Sequence, residues 1–185
     1  MTAIARWLSG LGAHADVVRF FEPYGSNWSK AWSEVPRGDW MLGIAARLSD
    51  DTAALVRAAA ACARIALKEG GESARALEAI ERAEDWAMRG GPAGHLEAEA
   101  ETLEAEAEGA ASAAERAILL AAAAACRTAV EPAASVSAAQ NAVEAALDAR
   151  SGDDPMEVVR DVHAKCARAV RTHLPTQVVR SPFGG

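Results

Sequence analysis

Val35-Pro36-Arg37-Gly38-Asp39-Trp40-Met41-Leu42 ends one short helical pattern and begins another on a tryptophan. Pro36 has no N–H to donate and disfavours helix at the residue before it. Gly38 permits an unusual φ, and Asp39 is a favoured N-cap whose carboxylate can accept from the orphan amides of the next turn. Break, glycine and cap lie within four residues, which predicts a helix–turn–helix joint and assigns Gly38, Asp39 and Trp40 to structure. The tripeptide Arg37-Gly38-Asp39 also matches a cell-adhesion ligand, but the same residues serve as helix punctuation and adhesion is set aside.

Upstream of the joint, residues 3–11 and 14–22 read as two short helices separated by Gly12, and Pro23-Tyr24-Gly25 as a break. Asn27 or Ser26 can cap a further helix in which Trp28, Ala31, Trp32 and Val35 share one face at i, i+3, i+4 and i+7. With Trp7 and Trp40, four of the five tryptophans fall in the first 40 residues, so residues 1–48 form a Trp-rich subregion. Two readings stay open for it: an aromatic sub-core, or a sub-core with one ring left outward as a partner hot spot.

Downstream, Ser49-Asp50-Asp51 caps a helix over 52–69, with Gly70-Gly71 as its stop. Its apolar residues wrap most of the circumference, which predicts burial, while Arg57, Arg64 and Lys68 share a narrow stripe. The stripe is expected to emerge at a groove, to pair with carboxylates on a neighbouring helix, with Asp39 or Asp51 as candidates for Arg64, or to stand in solvent. Residues 73–89 are amphipathic, with Leu77, Ile80 and Met88 assigned to the core and Trp86 to the margin beside Arg82 and Arg89. Trp86 there suits cation–π stacking or packing on a second neighbour.

The longest helical pattern runs over 93–130, with Gly109 as its weak point. Leu96, Ala100, Leu103, Ala107, Ala114 and Ile118 form its apolar face. Glu97, Glu101, Glu104, Glu108 and Glu115 form a stripe with no lysine or arginine within 96–115. Like charges at i, i+4 cost a few tenths of a kcal/mol per pair, so the stripe would be relieved by a basic partner or simply solvated. The 117–130 part carries one charge, Arg127, and is expected to be interior. Helices over 133–149 and 155–174 complete the pattern, and 176–185 reads as a flexible tail or an arm laid on the surface.

The expected architecture is all-α, a single domain over 1–175 of about eight to nine helices, with 52–69 and 117–130 the most buried stretches. Length supports one domain, since 185 residues can bury roughly 70% of the unfolded surface. Alanine, the best helix former, dominates a 51% hydrophobic share. A net charge of −7 and a pI near 5.1 argue against nucleic acid and anionic membranes and favour a basic partner. Neither a secretory signal nor a membrane span is readable, so the chain is expected in the cytoplasm. The widely spaced Cys62, Cys126 and Cys166 fit reduced core thiols.

Chemistry-bearing motifs are missing from the sequence. His163 and Cys166 stand at i, i+3 but have no second pair at ligand spacing, and phosphate-loop, dinucleotide, zincin and nucleophile-elbow patterns are absent. The expectation is no enzyme, no metal and no cofactor.

Leu11-Gly12-Ala13-His14, Ala31-Trp32, Pro36-Arg37-Gly38-Asp39-Trp40-Met41-Leu42, Ala60 to Leu67 and Ala79 to Ala87 follow in an order and spacing that resembles the small all-α immunity proteins of bacterial polymorphic toxin systems. Lys165 to Pro175 looks like the closing element of that family. His14 and Val35 stand where cysteine is expected, and Gly43 where tryptophan is common. The resemblance implies a protein that binds and neutralises a cognate toxin. Combined with the acidic stripe, it predicts occlusion of a basic effector through Glu97, Glu101, Glu104 and Glu108, with Trp86 and Arg64 as further partner-binding residues. The alternative is a helical scaffold or adaptor that never meets a toxin.

Overall fold

The computed structural model describes residues 1–179 and Ser181, and the regular elements among them are all helical. Ten α-helices run Ala3–Gly10 (α1), Ala15–Phe21 (α2), Trp28–Glu34 (α3), Gly38–Leu48 (α4), Thr52–Gly70 (α5), Ala74–Arg89 (α6), Gly94–Glu108 (α7), Ala113–Arg127 (α8), Ser135–Ala149 (α9) and Pro155–His173 (α10). Single 3₁₀ turns occupy Glu22–Tyr24 and Pro132–Ala134. Among the described residues no helix is long and apolar enough to cross a membrane.

The helix count exceeds the expected eight to nine because 93–130 is two helices. Gly109 ends α7, and Ser112 caps α8 by accepting from Glu115 N at 3.0 Å. Glu115 reaches back to accept from Ala111 N at 2.8 Å. These reciprocal bonds satisfy two orphan donors and consume Glu115, which the sequence had placed in the acidic stripe. Side-chain caps also start α3 (Asn27), α5 (Asp51), α6 (Ser73) and α10 (Asp154, with Pro155 at the first position). Gly71 and Gly90, at φ +118° and +72°, close α5 and α6.

α5 and α8 bury the largest numbers of residues, nine of nineteen and ten of fifteen. α5 packs on α6, α8, α9 and α10, and α8 lies against α7 and α9. Alanine makes these approaches close: a Cβ on Gly70 would lie 2.8 Å from Ala145 Cβ, so α5 ends against α9 with no room for a methyl group. One contiguous core runs from Ile4 to Val179.

The Trp-rich region is tied to the far end of the chain. Phe21, Trp28 and Trp32 stack in series at 6.1 and 5.5 Å. Trp28 Nε1 donates to Val179 O at 3.1 Å, and Trp32 Nε1 donates to Leu174 O at 2.9 Å. Thr176–Val179, the start of the segment read as a tail, therefore lies against the aromatic cluster, with Val179 fully buried. Residues 180 and 182–185, the rest of that segment apart from Ser181, lie outside the described residues.

The joint differs in detail from its sequence reading. α4 starts at Gly38, so Arg37 holds the cap position and Asp39 sits inside the first turn, accepting from Trp40 N at 2.9 Å. Gly38 has no positive φ. Its need is steric: an added Cβ would meet Cys166 Cβ at 2.4 Å and the Cys166 carbonyl carbon at 2.9 Å, because α10 crosses directly over it. Arg171 of α10 donates to Val35 O at 2.8 Å and clasps the other side of the break.

Candidate functional site

α7 carries six glutamates and no lysine or arginine. Leu96, Ala100, Leu103 and Ala107 face inward, which fixes where the carboxylates point. Three of them are neutralised from neighbouring helices. Arg75 of α6 donates through Nε to Glu106 at 3.0 Å and through Nη1 to Glu99, and Arg82 donates to Glu99 Oε2 at 2.7 Å. Arg127 of α8 grips Glu104 through two bonds of 3.0 and 2.6 Å. Burial pushes the Glu99 carboxyl up, but its hydrogen bonds and attraction to Arg75 and Arg82 outweigh that and hold it below the usual range.

Glu97, Glu101 and Glu108 are exposed and have neither a hydrogen-bond nor an ion-pair partner among the described residues. The row expected to be unneutralised thus loses Glu104 to Arg127 and keeps the other three. Glu99 and Glu106 were missed from sequence, although a signal existed. Arg75 and Arg82 are seven apart on α6 and Glu99 and Glu106 seven apart on α7, so each pair returns to one helical face.

Trp86 is half-buried at the end of α6, where its Nε1 donates to Gly91 O at 2.9 Å. A cleft of about 260 Å³ lies there, bounded by Arg82, Asp85, Trp86, Arg89 and His95, at the N-terminal end of the acidic row. Arg89 turns to Asp85 at 3.3 Å, and the cation–π pair of the described residues is elsewhere, with Arg37 Cζ 5.0 Å from the Trp40 ring centroid. Met88, assigned to the core from sequence, is 69% exposed, and Leu77 lies at the edge rather than inside. Arg64 belongs to a different place. It grips Glu84 of α6 through two bonds of 2.7 and 2.6 Å, not Asp39 or Asp51, and is not brought to the row.

Asp39 and Trp40 have company that sequence did not indicate. Arg37 donates to Asp39 through Nε at 3.1 Å and Nη2 at 2.8 Å, and buried His163 of α10 places Nδ1 3.5 Å from Asp39 Oδ1 without forming a hydrogen bond. Burial lowers the His163 pKa, opposed by Asp39 and assisted by Arg37. The Cys62 thiol is pushed well up by its hydrogen bond to Cys166 and by burial, and burial pushes Cys126 up to about 12. Neither has the thiolate character a nucleophile needs. Among the described residues no group of three or more His, Cys, Asp or Glu is placed to hold a metal ion.

Comparison of the chain with protein-family models, with curated proteins and with solved structures returns no match.

Proposed function

We propose that this chain is an immunity-type protein of the bacterial cytoplasm that binds and neutralises a cognate toxin by occlusion, laying the outer face of α7 against a basic effector. The observation that carries the reading is selective neutralisation. The fold brings three arginines to Glu99, Glu104 and Glu106, yet leaves Glu97, Glu101 and Glu108 on the same helix exposed, with no hydrogen bond or ion pair among the described residues. Exposed carboxylates at one rim raise the encounter rate with a cationic patch, and the aromatic Trp86 cleft at the end of the row offers an anchor. No cofactor, metal, nucleic acid or membrane enters this mechanism.

The test is charge reversal, Glu97→Lys with Glu101→Lys, in cells co-expressing a basic effector encoded beside the gene. Protection from the effector and its co-purification are both expected to be lost while the helical circular-dichroism signal stays. Unchanged protection would remove the acidic-face mechanism.

A helical scaffold is the second reading, favoured by Met88, a large apolar side chain left exposed two residues from Trp86. It needs no basic partner. An oligomer that persists on dilution in light scattering and dissociates on Met88→Lys would favour it over toxin occlusion.

A further inference from the structure

The two motifs at Leu11–His14 and Pro36–Leu42, separated by more than twenty residues, converge on one cleft of about 420 Å³ between α1, α2, α4 and α9. That volume falls within the roughly 300–1,000 Å³ of small-molecule sites. Its long wall is one face of α4, where Arg37, Trp40, Ile44 and Arg47 recur at helical spacing. Gly43 on the same wall presents no side chain, and an added Cβ would just touch Val136 Cγ2 at 3.4 Å, so the glycine leaves the space open.

The charges around the cleft are unevenly satisfied. Asp39 is matched by Arg37, and Asp16 by Arg19 at 3.2 Å. Arg47 is exposed on the rim with no ion-pair or hydrogen-bond partner among the described residues, and so is Gln140 across from it on α9. In a protein of net charge −7, this rim therefore offers an uncompensated cation and an amide donor above an apolar floor of Leu8, Ile44 and Val136. A guanidinium fork suits a carboxylate, and the apolar floor suits an aliphatic body.

We propose that this cleft binds a small amphipathic organic acid, its carboxylate held by Arg47 and Gln140 and its apolar end laid on Ile44 and Val136. The site shares no residue with the α7 row, so it stands or falls independently of toxin occlusion.

The experiment is a ¹H–¹⁵N NMR titration of the full chain with three probes: 4-methylpentanoate, its uncharged isostere 4-methylpentanamide, and the peptide acetyl-Gly-Gly-Leu with a free carboxylate. The acid is expected to shift the Gly43 and Arg47 backbone amides and the Gln140 side-chain amide, and to bind about tenfold more tightly than the amide. Arg47→Gln, an exposed change, should bring that ratio to about one by removing the charge-assisted bond. Gly43→Leu should abolish binding of both by filling the cleft. Equal affinity of acid and amide, or no shift at these positions, overturns the proposal. Tighter binding of the peptide would instead assign the carboxylate to a polypeptide terminus and overturn the small-acid assignment. Should Gly43→Leu not fold, Arg47→Gln still decides.

Discussion

At the α4–α10 crossing Asp39 is 6% exposed, gripped twice by Arg37 and roofed by a helix so close that Gly38 has no space for a methyl group. On the outer face of α7, Glu97, Glu101 and Glu108 stand in water with no hydrogen-bond or ion-pair partner among the described residues. Both regions carry carboxylates on alanine-containing helices, yet one carboxylate is enclosed by its own chain and the others are left outward. A buried charge must be paired, because desolvation without a partner costs several kcal/mol, whereas a solvated charge is nearly free to remain single. Position, not residue type, separates a structural carboxylate from one available to a partner.

The largest effect expected from perturbing this contrast is at Gly38. Gly38→Ala should cost about 3 kcal/mol, since the added Cβ meets the backbone of α10 as well as Cys166 Cβ. Urea unfolding checks this, and a loss below about 1 kcal/mol would mean that α10 moves aside easily. Next is Asp39→Ala, which removes the carboxylate that Arg37 grips twice and that accepts from Trp40 N. A loss of about 2 kcal/mol is expected in the same assay.

A matched pair on α7 sharpens the comparison. Glu99→Ala removes the acceptor of both Arg75 and Arg82 and should cost about 1 kcal/mol, while Glu97→Ala should fall within about 0.5 kcal/mol of the parent. Equal losses from the two would erase the distinction between neutralised flank and open row.

The smallest effect is with pH. Because burial lowers the His163 pKa in the folded state, the unfolded chain takes up its proton first as pH falls. The contribution is absent above the ordinary histidine value of 6.5, and stability is progressively lost below it, down to the folded-state pKa. Thermal melts between pH 7.5 and pH 5.5 should therefore decline more steeply for the parent than for His163→Gln.

How much of this was readable beforehand differs by element. The inward faces of α7 and α8, the caps at Asn27 and Asp51, and the burial of α5 and α8 follow from spacing within a few residues. The break at Gly109 was visible as a weak point but not as two helices, since the decisive bond from Ala111 N to Glu115 needs the turn already formed. At the candidate site, sequence located the outward row but placed Glu104 in it, because Arg127 lies 23 residues away and on the next helix. Met88 was read inward because helical periodicity cannot tell which margin of a stripe its neighbours cover.

Composition, periodicity and local punctuation determined by themselves that this protein is helical, where most helices begin and end, and which faces go inward. Those properties depend on hydrogen bonds and side-chain spacing spanning four residues or fewer. Only the tertiary structure decided that Arg75, Arg82 and Arg127 neutralise one flank of α7 and that Gly38 exists for Cys166. It also decided that two motifs far apart in the chain wall a single cleft. Each of these depends on which helices meet and at what rotation, and that is set by packing the whole alanine-rich core at once.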